Sequence, residues 1–137
     1  MSHVTCDENG FVRGLHYHDG SFDGLLLGTD RKMHIAIRAV SGEPRVITLI
    51  GVTALCVNSV REGNVLLNLR ILRGAQAAAD AEVVQILAER VFLDPSRLGD
   101  GKLIFLLESS YGVDAIAVCG SVDVGEPGGR LVVSDCP

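Results

Sequence analysis

The sequence predicts an α+β fold: a mostly antiparallel β-sheet or sandwich of about eight strands with one packed α-helix near residues 76–92. Three observations carry this expectation. Short apolar runs alternate with period two on both sides of the chain's middle. Turn chemistry separates them at intervals too short for parallel crossovers. An alanine-rich stretch of helical periodicity stands between two strand-rich regions.

The elements follow in order. "GLLLGTDRKMHIAIRAV" gives an apolar run, the turn residues Gly28 to Arg31, and a second strand. There Met33, Ile35, Ile37 and Ala39 share one face, and Lys32, His34, Ala36 and Arg38 the other. The break "SGEP" at 41–44 precedes the strand "RVITLIGV", and an alternating "TALCVNSV" leads to the turn "REGN". In "VLLNLRILR" the alternation turns Val65, Leu67, Leu69 and Ile71 inward and Asn68 and Arg70 outward. "AQAAADAEVVQILAERVF" is the helix. Val83, Val84, Leu87 and Val91 form its apolar stripe with Ile86 beside them, and Asp80 and Glu82 favour its N-terminal dipole. "LDPSRLGDG" ends it. "KLIFLLES" is apolar on both faces, as a central strand requires. "SSYG" then serves as a connector into "VDAIAVCGSVDV", and "LVVS" closes the set.

With 137 residues the chain fits a single domain, 1–137, with 1–10 as a flexible N-terminus carrying His3. Apolar residues make up 47%, but aromatics only 4% with no tryptophan, so the core is built from Leu, Val, Ile and Ala. Few aromatics and a net charge of −5 argue against nucleic acid, which needs stacking platforms and a basic surface. No apolar run reaches bilayer length, and "MSHVTCDENG" lacks a leader pattern; the expectation is a cytoplasmic protein with no membrane partner. Cys6, Cys56, Cys119 and Cys136 form no CxxC pair and are expected as inert thiols.

Chemistry concentrates at "LHYHDGSFDGLLL". On a strand, His16 and His18 project to one side, and Asp19 follows at once. His16, His18 and Asp19 are therefore the candidate metal ligands, for a divalent ion such as zinc, with Asp23 or His34 as further donors. The competing reading is a polar strand end: Asp19-Gly20 supplies the positive-φ positions of a tight turn, Tyr17 faces the core and the histidines face water. His34 alternates with Lys32 and Arg38 and belongs to a solvated face. "ESSYG" lacks the glycine pattern of a nucleophile elbow, and "GEPGG" precedes a strand rather than a helix. No catalytic and no cofactor-binding residue is assigned. Arg38, Arg45, Arg61 and Arg70 are expected on solvated sheet surface.

Three segments, "YHDGSFDGLLL", "GV" with "REGNVLLNLRI", and "LIFLLESSYGVDAIAVC", together resemble small uncharacterised bacterial β-rich proteins, some of them immunity-protein-like. In these a His-Asp step opens the first strand. The resemblance spans most of residues 16 to 119. It implies a β-rich architecture and a non-catalytic protein-binding role, immunity-like or accessory, and it supplies no catalytic residues. His18-Asp19 matches the opening step, which leaves His16 as an extra. The alternative function is a metal-dependent enzyme or metal-binding module using His16, His18 and Asp19. A bare sheet edge or face also makes a homodimer an expected partner state.

Overall fold

The computed structural model describes residues 5–14, 17–59, 65–99, 101–111, 113–125 and 131–132. Two short strands, β1 (Thr5–Cys6) and β2 (Val12–Arg13), form an antiparallel ribbon. The main sheet is built from β3 (Ser21–Leu27), β4 (Lys32–Arg38), β5 (Pro44–Ile50), β6 (Ala54–Asn58), β7 (Val65–Arg73), β8 (Leu103–Tyr111), β9 (Asp114–Cys119), β10 (Ser121–Gly125) and β11 (Leu131–Val132). Two helices, α1 (Gly74–Ala78) and α2 (Ala81–Arg90), and a 3-10 turn at Pro95–Arg97 lie between β7 and β8. The α+β, antiparallel expectation holds. Among the described residues no helix is long and apolar enough to cross a membrane.

Strand order explains the shape. The main sheet runs β11-β10-β5-β4-β3-β7-β8-β9-β6. β5 and β6 are one chain segment bent at Gly51, and β9 and β10 are one segment bent at Gly120. These two segments pair with each other on both sides of the bend, Ser121 opposite Ile50 and Ala54 opposite Val118. The Gly120 N–H donates to the Ile50 carbonyl across the corner at 2.8 Å. The same pair thus stands at both ends of the order, and the sheet returns on itself as a barrel. Closing a sheet satisfies the backbone groups that an open edge would leave bare.

Two cores result, one on each side of the rear strands. Inside the barrel, Met33, Ile35 and Ile37 from β4 meet Ile47 and Leu49 from β5, Phe105 and Leu107 from β8, and Ala115, Ala117 and Cys119 from β9. The alternate residues of β8 and β9, Ile104, Leu106, Ile116 and Val118, face outward onto Val83 and Leu87 of α2 and Ala77 of α1. This is why "KLIFLLES" is apolar on both faces: β8 sits between β7 and β9 and between two cores. Burying a leucine or phenylalanine side chain contributes about 1.5–3 kcal/mol, so these two layers dominate the fold's stability.

The packed helix near 76–92 is α2, preceded by the short α1, and Asp80 caps α2: its carboxylate accepts from the Glu82 and Val83 N–H groups at 3.1 and 3.2 Å. Three expectations need correction. The "SSYG" connector is strand as far as Tyr111. In β7 the register shifts between Leu66 and Asn68, which turns Leu66 inward in place of Leu67. Arg70 is not solvated surface but buried.

Candidate functional site

The segment around His18 closes the barrel. Residues 17 to 20 form a turn in which the Gly20 N–H donates to the Tyr17 carbonyl at 2.6 Å, with Asp19 at φ 62°. The flanking backbone reaches β7: Asp19 N–H donates to the Leu66 carbonyl, and Leu66 N–H to the Gly20 carbonyl, at 3.1 and 2.9 Å. Beyond these bonds β3 meets β7 in register only at Ser21 opposite Val65 among the described residues. Tyr17 is buried, as expected. Only Asp19 carries the positive φ; Gly20 is needed for close approach instead, since a Cβ there would overlap the Arg38 carbonyl and lie 2.7 Å from the Tyr17 oxygen.

The predicted ligands separate. His16 lies outside the described residues. His18 and Asp19 are exposed, with 64% and 69% of their side chains accessible, and His18 Nε2 lies 3.8 Å from Asp19 Oδ1. The other ring nitrogen, His18 Nδ1, is 3.1 Å from the Leu67 carbonyl, the residue freed by the bulge. Asp23 joins Arg38 in an ion pair at 2.8 Å, and His34 Nδ1 meets the Thr48 hydroxyl at 3.0 Å, so neither adds to His18 and Asp19. Among the described residues no three His, Cys, Asp or Glu side chains are placed to hold a metal ion.

The cysteines divide. Cys56 and Cys119 are free, and burial pushes the Cys119 thiol up to about 12. Cys6 is disulfide-bonded, which overturns the expectation of four inert thiols. Spacing could not reveal it, because a disulfide depends on proximity in the fold.

Two arrangements were not foreseen from the sequence. The first is the outer face of β3, β4 and β5, which no described element covers. A bulge at Asp23, between Phe22 and Gly24, resets the alternation of β3, placing Leu26 opposite His34 on this face. Leu25, Leu26, His34, Ala36 and Val46 line a shallow hollow of about 300 Å³. Leu26 is 66% exposed. The polar pair at its centre, His34 and Thr48, satisfies itself, and Asp23–Arg38 and Glu43–Arg45 ion pairs lie at one end.

The second is centred on Arg70, whose side chain is only 8% exposed. Its guanidinium donates to Asp80 Oδ2 at 2.8 Å and twice to the Asn9 carbonyl, at 2.9 and 3.2 Å, and it stacks on the Phe11 ring at 4.6 Å. The Arg70 hydrogen bond, aided by the Val83 and Glu82 N–H groups and opposed by desolvation, holds the Asp80 carboxyl below its ordinary 3.8. A depressed folded-state value means the unfolded chain takes up the proton first. The contribution is therefore complete above the unfolded value and is lost as pH falls from about 4 through the folded one. Acid titration of unfolding is expected to show this loss in the wild type and a flatter profile in Asp80→Asn.

Compared with known proteins, the chain matches no family model, no curated protein and no solved structure.

Proposed function

We propose that this chain is a small cytoplasmic, bacterial-type factor that works by binding another protein, immunity-like or accessory in role, without catalysing a reaction. The observation that supports this reading is the outer face of β3, β4 and β5. The opposite outer face carries α1 and α2, whereas this one presents Leu26 to solvent beside Ala36 and Val46. Contiguous exposed apolar surface on a sheet is a common mark of a docking site. The paired His34 and Thr48 lower the cost of covering it, because neither loses an unmet partner when water leaves. The net charge of −5 favours encounter with a basic partner rather than with nucleic acid.

Site-directed photo-cross-linking in producing cells tests the reading. A photoreactive residue at position 26 is expected to give a discrete protein adduct, a second copy of the chain being one such partner. The same probe at Gln85, on the exposed side of α2, is expected to give none. Val46→Lys, on the same face opposite Ala36, should abolish the adduct at 26 while leaving the thermal unfolding curve in place. Equal labelling at both positions, or none at 26, would sink the proposal.

A further inference from the structure

The barrel is not closed along its whole height. β7 starts at Val65, opposite Ser21, so β3 runs on past it from Phe22 to Leu27, with β4 as its one paired strand there among the described residues. Burial agrees. Leu26 and Leu27 point to opposite faces of the sheet, yet they are 66% and 62% exposed, which a strand flanked on both sides would prevent. The Gly28 N–H donates to the Lys32 carbonyl at 2.8 Å, and alternation from there turns the backbone groups of Gly24 and Leu26 toward β4. Those of Leu25 and Leu27 face the open edge.

Free strand edges are usually guarded by Lys, Pro or an uncompensated charge. Ser21–Leu27 holds no Lys or Pro, and its one charged residue, Asp23, is paired with Arg38 at 2.8 Å. The bulge at Asp23 disturbs only the start of the strand. From Gly24 to Leu27 the register with β4 is regular.

The same stretch carries a projection and a recess on one face. Leu26 stands out from the outer face. Gly24, on that face too, has no atom beyond its chain neighbours within 4 Å of where a Cβ would lie, and Ala36 and Val46 beside it floor the hollow of about 300 Å³. An antiparallel strand centred on Leu25 sets residue 26 of one copy opposite residue 24 of the other, with both on the same face. Each Leu26 then enters the other copy's hollow, while Leu25 and Leu27 gain backbone partners.

We propose that a second copy of this chain occupies the open edge, forming a two-fold dimer in which β3 pairs antiparallel with its counterpart about Leu25. The dimer rests on the outer face already read as a docking surface and names its occupant. Self-complementarity of one patch is what a two-fold interface requires. A strand pair with two inserted leucines is a small contact, so the dimer dissociates on dilution.

Sedimentation equilibrium of the purified full chain over a dilution series tests this. The wild type is expected to pass from dimer to monomer as it is diluted. Ala36→Leu fills the hollow, and Leu26→Asn removes the projection. Each should raise the dimer dissociation constant about tenfold or more, with the far-ultraviolet circular dichroism unchanged. Leu25→Cys reports the register, because its two thiols meet at the axis with a Cα separation of about 5.5 Å, within disulfide range. Mild oxidation should therefore give a covalent dimer through position 25, but not through Leu26→Cys, whose counterpart lies on the diagonal. A monomer at every concentration would overturn the second copy as occupant; an adduct from position 26 to a different protein would then leave the functional reading standing. A dimer that both Ala36→Leu and Leu26→Asn leave intact, or one cross-linked through 26 and not 25, would overturn it as well.

Discussion

Replacing Arg70 by alanine is expected to destabilise the fold by about 3 kcal/mol, the low end of the range for breaking a buried ion pair from one side. The lower end applies because Asp80 keeps 32% of its side chain in water and recovers part of its solvation. Three losses coincide in this variant. Asp80 is left without its cation, the Asn9 carbonyl without its donors, and the Phe11 ring without the guanidinium beneath it. Against a usual domain stability of about 5–15 kcal/mol, that is a large fraction. Urea unfolding should show a lower midpoint with an unchanged slope. Asp80→Asn keeps an oxygen for the α2 N-terminus and should cost only about 1 kcal/mol. In the double variant the two losses should overlap by about 1–2 kcal/mol, as expected for groups in one network. Strict additivity would show that Arg70 acts through packing alone.

Gly20→Ala is the second large effect, and its cause is steric. The added methyl would meet two carbonyl oxygens, those of Arg38 and Tyr17, and both belong to backbone that cannot rotate away. Relief requires moving either the 17–20 turn or β4. Moving the turn breaks the Asp19–Leu66 and Gly20–Leu66 bonds by which β3 meets β7. A loss of about 3 kcal/mol is expected, the upper end of the ordinary cost of overpacking. Hydrogen exchange should place the damage at Leu66 and along β3, with α2 and β8 protected as before. His18→Ala, by contrast, removes one exposed contact to the Leu67 carbonyl and should change stability by no more than about 0.5 kcal/mol.

What the sequence displayed well was every strand whose two faces differ. Met33, Ile35 and Ile37 alternate without interruption, and their strand pairs in an unbroken register from Lys32 to Arg38. β8, apolar on both faces, was placed in the centre for the right reason. The errors in which face a strand residue takes lie where one residue breaks a period. An extra residue at Asp23 and another near Leu67 reverse the faces that follow, and alternation counted from the sequence carries no mark of either.

The candidate site was less legible still. His18-Asp19 was visible as a pair, but Asp23 and His34 found partners on neighbouring strands, Arg38 and Thr48, that only the register of β3, β4 and β5 supplies. Arg70 reads as a polar residue on a polar face. It is buried because Asn9 and the α2 cap Asp80 converge on it from positions 61 residues before and 10 after.

By itself, then, the sequence determined the local preferences: period-two strands, a helix-forming stretch with its capping aspartate, and turns at the glycines. Those follow from side-chain shape and backbone sterics within a few residues. The tertiary structure decided the closure of the sheet, the two-sided burial of β8, the apolar face left uncovered on β3–β5 and the enclosure of Arg70. Each depends on contacts between residues far apart in the chain, whose energies come from burial and pairing that local sequence does not encode.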